Sequence, residues 1–174
     1  MTTVLVTGPI GSGKSTACRY FASKGYPVYD CDSRCKRLYD EVPGLKARIE
    51  QELGIPFSEL RRIFEDEALR VSLEAIVYPL LVEDLKRWKA SKAASELLFV
   101  ESAIALDKPC FYGLWDSVLL ISARKSLRLE RNKDTARRDS IQSFDPSKVD
   151  VIVRNDGSRE ALYKQLDDYL QTKK

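Results

Sequence analysis

Histidine is absent from the chain. Its absence excludes every mechanism in which imidazole activates a serine or cysteine nucleophile. Asp, Glu, Lys and Tyr remain as side chains able to act as general bases. Cysteine is sparse, and Cys18, Cys31, Cys35 and Cys110 form no paired C-x-x-C units. With no histidine to complete a ligand set, a structural zinc site is not expected. Four dispersed thiols in a chain without a basic leader fit a reducing cytoplasm, the expected location. No apolar run approaches the roughly 20 residues of a membrane span. The net charge of +3 is too small to argue for nucleic acid, and no isolated basic amphipathic stretch argues for a membrane surface. What is present is a chain of 174 residues, 32% charged and 44% hydrophobic. That is the balance of a soluble domain with a sizeable core.

Against this background one stretch stands out. Gly8-Pro9-Ile10-Gly11-Ser12-Gly13-Lys14-Ser15 satisfies the G-x-x-x-x-G-K-[ST] pattern at every required position. A β-branched apolar run precedes it, and Ala17, Tyr20 and Phe21 follow at helical spacing. Strand, glycine loop and helix are the order a phosphate cradle needs. Gly8, Gly11 and Gly13 allow backbone conformations that a Cβ blocks, so loop N–H groups can converge on anionic oxygens. The positive end of the helix adds to that field. Lys14 is a compact cation with the reach for the β- and γ-phosphates, and Ser15 can place its hydroxyl on Mg²⁺. A nucleoside triphosphate is the expected ligand.

Five strand-like runs appear at 2–6, 27–30, 97–101, 118–122 and 149–153. Most are continuously apolar, as in a sheet covered on both faces, and helical stretches separate them. The expected fold is therefore α/β, a doubly wound, mostly parallel five-stranded sheet. Its ligand site should lie beyond the carboxyl ends of the strands. Asp30, Asp32 and Glu101 fall at or just after such ends. The connection after Asp32 is too long for one crossover helix. Leu45, Ile49 and Leu53 mark one helix, Ser58 can cap a short second one, and a third runs from about Asp66 to Trp88. Leu69, Leu73, Ile76, Leu80 and Trp88 line that third helix, and Pro79 should kink or break it. The expected organisation is a core of 1–35, 93–123 and 147–174, a helical insertion over 36–92 that reads either as scaffold or as an acceptor-binding pocket, and a lid over 124–146.

Two of the carboxylates have rival readings. Asp32 can take the proton of an acceptor hydroxyl, or can simply cap the helix that follows. Glu101 can hold a Mg²⁺-bound water, or can be a solvated strand end. Residues 124–146 carry Arg124, Arg128, Arg131, Arg137 and Arg138. They read either as a solvated charged face or as an arginine-bearing lid over transferring phosphate.

Taken together, these residues resemble the dephospho-coenzyme A kinase family. The likeness rests on the loop Gly8 to Thr16, on Asp30-Cys31-Asp32 where the family has Asp-Ala-Asp, and on Ile63 to Leu69 with Leu73 to Pro79. It continues through Val100 to Ile104, the Arg138-x-x-x-Gln142 spacing and Asp150 to Ser158. The resemblance implies the P-loop nucleoside triphosphate hydrolase fold. It implies transfer of the ATP γ-phosphate to the ribose 3′-hydroxyl of dephospho-coenzyme A, a small-molecule acceptor, with Mg²⁺. By position Asp32 is then the base, Lys14 and Ser15 the phosphate and Mg²⁺ ligands, and Arg138 a lid cation. Gly8, Gly11, Ser12, Gly13, Thr16 and Asn155 complete the nucleotide site. Three departures stand beside this: Tyr78 replaces the family's histidine before proline, Lys36-Arg37 replaces Arg-Glu, and the lid is about a dozen residues short, as surface loops tolerate. Another small-molecule or nucleotide kinase, and a nucleotide-binding relative with impaired catalysis, are the alternative readings.

Overall fold

In the computed structural model, residues 1–135 and 145–173 are described. Among them five strands form one parallel sheet in the order β2-β3-β1-β4-β5. The strands are β1 (Thr2–Thr7), β2 (Val28–Asp30), β3 (Leu97–Glu101), β4 (Ser117–Ser122) and β5 (Val151–Arg154). β1 is central because it is apolar on both faces: Val4, Leu5 and Val6 are all fully buried. Alternate strand residues face one core, where Val4, Val6, Phe99 and Ile121 meet helix α1 (Lys14–Ser23) and the last helix, α6 (Arg159–Gln171). Phe21 of α1 stacks on Phe99 of β3, ring centroids 3.9 Å apart. That contact seats α1, and so the loop before it, on the sheet.

The topology also says where a ligand belongs. The chain leaves β1 toward β2 on one side of the sheet, and leaves β4 toward β5 on the other. The order therefore reverses between β1 and β4, and the crevice at their carboxyl ends is the favoured binding position. The glycine loop follows β1 at that point.

The chain divides into two compact units, one made of Met1–Asp30 and Lys92–Lys174, the other of Cys31–Ser91. The second unit contains α2 (Cys31–Glu41), α3 (Leu45–Leu53), a 3-10 turn at Phe57–Phe64 and the long α4 (Glu67–Ser91). α3 buries Leu45, Ile49 and Leu53 and ends at Gly54, whose left-handed conformation closes it. Arg34 of α2 grips Asp84 of α4 through two hydrogen bonds, of 2.9 and 2.7 Å, tying those helices together.

Two local expectations are corrected, and of the kink or break expected at Pro79 the break does not occur. The segment read as a short helix capped by Ser58 is a 3-10 helix that starts after Pro56. α4 runs through Pro79 without a break. Pro79 and Ala75, whose carbonyl loses its partner, both lie on the exposed side, where water can serve that carbonyl. The buried stripe of α4 is Leu73, Ile76, Val77, Leu81 and Leu85, so Leu81 and not Leu80 is the core residue.

Beyond α4 the first unit resumes with β3, β4, and α5 (Lys125–Arg131). Among the described residues no helix is long and apolar enough to cross a membrane.

Candidate active site

The loop's shape is set by glycine where nothing else fits. Gly8 has φ +142°, and a Cβ there would run into the Ile121 carbonyl oxygen at the end of β4. Gly13 has φ +103°, and its missing side chain leaves the space that the Asn155 carboxamide fills. Gly13 is also the residue preceding α1. It offers no side-chain cap, and the first turn of α1 holds no acidic residue. The leading N–H groups of a helix have no acceptor within it. This end of α1 therefore presents donors and positive potential rather than a carboxylate.

Lys14, the first residue of α1, turns its amine back over the loop. Its Nζ donates to the carbonyls of Gly8 (2.7 Å) and Pro9 (3.1 Å). Ser15 is exposed, and its hydroxyl donates to Glu101 Oε1 at 2.6 Å. The parallel register sets Glu101 beside Asp30 on β2 and beside Val6 on β1. Two carboxylates thus end neighbouring strands. Burial pushes the Glu101 carboxyl up; the Ser15 hydrogen bond opposes this, nearby Asp30 adds to the rise, and Lys14 and Cys18 pull it back. Cys18, one turn into α1, is itself held well above its ordinary range by burial first and then by the Glu101 charge. The Cys18 thiol is accordingly a neutral filler beneath the site. Thr16 accepts a 3.3 Å hydrogen bond from Arg19 Nη2.

Residues far along the chain hold the loop from outside. Asn155 Nδ2 donates to the Ser12 carbonyl at 2.8 Å. Arg128 of α5 is only 8% exposed, and its Nη1 donates to the Ile10 carbonyl at 3.4 Å. One arginine of the charged stretch is therefore packed on the loop rather than on a solvated face. The Thr135 hydroxyl shares its one proton between the carbonyls of Asn132 (2.7 Å) and Arg128 (3.0 Å), closing that turn.

Asp32 is the second residue of α2, exposed, two residues after the end of β2 and inside the Cys31–Ser91 unit. Arg137 and Arg138, and with them the proposed lid cation, lie outside the described residues. Gly8, Gly11, Ser12, Gly13, Lys14, Ser15 and Thr16 are contiguous at the head of α1, and Asn155 joins them through Ser12. Glu101 is drawn in by Ser15. Asn155 was expected in the nucleotide site from the family resemblance, and Arg128 was named in the charged stretch; the bonds by which each meets the loop were beyond sequence reasoning, because only the fold brings them there.

The oxygen donors of Ser15 and Glu101 suit a hard cation that keeps several of its waters, as Mg²⁺ does.

Comparison with known proteins gives a consistent result. The family model for CoaE, dephospho-CoA kinase, matches residues 2–172. A dephospho-CoA kinase from Porphyromonas gingivalis is 36% identical over 140 residues, covering 75% of this chain and 68% of its own. One from Methylococcus capsulatus is 30% identical, covering 98% and 87%. Among solved structures, TT1252 from Thermus thermophilus is similar with a TM-score of 0.79 and 26% identity, covering 98% of this chain and 97% of that one. Shikimate kinase from Aquifex aeolicus shares the fold at a TM-score of 0.51 and 19% identity, covering 98% and 97%. With the phosphate loop, the parallel sheet and a family match over nearly its whole length, the chain belongs to the dephospho-CoA kinase family.

Proposed function

We propose that this chain carries out the reaction of its family, moving the γ-phosphoryl group of ATP to the ribose 3′-hydroxyl of dephospho-coenzyme A. ADP and coenzyme A are the products, in the last step of coenzyme A synthesis. The observation that carries the reading is the glycine loop at the β1–β4 reversal, with Lys14 folded over it and Ser15 tied to Glu101. The acceptor oxygen bonds to the γ-phosphorus as the bridging bond to the β-phosphate breaks. The electron pair of that bond leaves with ADP, and the hydroxyl proton passes to a carboxylate, assigned here to Asp32. Lys14 stabilises charge on the phosphoryl oxygens, and the loop N–H groups orient the tail. Ser15, with Glu101 through a bound water, would hold Mg²⁺, which would supply charge neutralisation on the phosphates. Arg138 is assigned the lid cation. Residues 36–92 are assigned to the acceptor and 124–146 to the lid. Action on a soluble cofactor precursor fits the cytoplasm.

The test is an acceptor panel with ATP and Mg²⁺. Dephospho-coenzyme A should be the preferred acceptor; preference for a nucleoside monophosphate would contradict the reading. Asp32→Asn should slow transfer while leaving ATP affinity nearly intact. Normal turnover by that variant would remove Asp32 as the base.

A further inference from the structure

Asn155 is 8% exposed and sits just past β5. Both of its nitrogens are committed to protein. The carboxamide nitrogen donates to the Ser12 carbonyl at 2.8 Å across 143 residues of sequence. The backbone N–H donates to the Ser122 carbonyl at 2.7 Å. Its own carbonyl accepts from Arg131 Nη2 at 3.1 Å. The side chain therefore lies against the loop in a fixed pose, in the volume a Gly13 side chain would need.

That pose has a consequence through peptide geometry. The Ser12–Gly13 peptide is planar and trans. Its carbonyl and its N–H therefore point in opposite directions. Asn155 draws the Ser12 carbonyl toward itself, and so turns the Gly13 N–H away, to the other side of the loop. We propose that Asn155 is a positioning residue for phosphate binding. It acts on the nucleotide through the orientation of this one peptide and not by touching the base. The inference rests on the reading that the loop holds a triphosphate, and refines how Asn155 belongs to that site.

The two roles separate when the base is removed from the ligand. Calorimetric titration with tripolyphosphate, ATP and GTP compares the wild type with Asn155→Ala. If Asn155 aims the peptide, tripolyphosphate and ATP affinity both fall about tenfold, the scale of one buried hydrogen bond. The ratio of ATP to GTP affinity then stays as in the wild type. Unchanged tripolyphosphate affinity with a collapsed ATP-to-GTP ratio would overturn the proposal and make Asn155 a base contact. Asn155→Asp keeps the shape and loses the donor, so it serves if the alanine variant fails to fold. The same loss is expected, and wild-type tripolyphosphate affinity in this variant would also overturn the proposal. A wild-type protein that bound neither tripolyphosphate nor ATP would instead overturn the nucleotide reading itself.

Discussion

Lys14 is held by two carbonyls of its own loop, Gly8 and Pro9. A triphosphate held by the loop would offer that amine stronger, charged acceptors. Its value is then realised as charge builds on the transferring group. Lys14→Ala should lower kcat/KM about a hundredfold or more, the cost of losing one preorganised donor. Lys14→Arg should not restore it, because a planar fork cannot take the place of a compact ammonium. Steady-state kinetics on both variants checks this, and an alanine variant within a few-fold of wild type would refute it. At this scale the contiguous features were legible in the sequence. The loop residues sit at fixed offsets, and Glu101 was readable as a carboxylate at a strand end. The Asn155–Ser12 and Arg128–Ile10 bonds were not. Each joins residues more than a hundred positions apart, and no local pattern records such a pairing.

Elements show a similar division. β3 matches its apolar run at both ends, 97–101, because the run is buried on both faces and bounded by polar residues. β5 begins at Val151, two residues later than its apolar run. The Pro146–Lys148 turn precedes it, and the Asp150 carboxylate accepts from the Val118 N–H at 2.7 Å in place of a ladder bond. α4 was legible in length and in holding Pro79 inside it; that the helix is unbroken there depends on which face meets water. Its start is set by Asp66, whose Oδ1 accepts from the Leu69 N–H at 3.1 Å. That is a helix-capping bond on an exposed end. Asp66→Ala should cost about 1 kcal/mol of stability. Urea denaturation should show a lower midpoint with an unchanged slope; an unchanged midpoint would mean that the cap contributes nothing.

For the whole molecule, the pH dependence of stability has a traceable contributor in Tyr169. Burial, partly offset by a hydrogen bond with Ser117 and reinforced by the Asp150 charge, pushes this tyrosine up to about 12. In the unfolded chain it titrates near ~10. Between these values the folded state keeps a proton that the unfolded state has lost, so stability falls as pH rises. The contribution is intact below the unfolded value and is lost as pH climbs through the folded one. Tyr169→Phe should therefore flatten the alkaline fall in stability over that window. Burial also pushes Tyr39 up, so part of the fall should persist. Chemical denaturation at a series of alkaline pH values reads the difference, and equal slopes in the two proteins would contradict it.

The central claim is transfer of one phosphoryl group to one hydroxyl. Purified protein incubated with ATP, Mg²⁺ and dephospho-coenzyme A, followed by mass spectrometry and phosphorus NMR of the product, tests it most directly. The account predicts a product heavier by one phosphoryl group, esterified at the ribose 3′-position, with an equal amount of ADP. Dephospho-coenzyme A recovered unchanged while ATP is bound, or a phosphoryl group found at any other position, would contradict it.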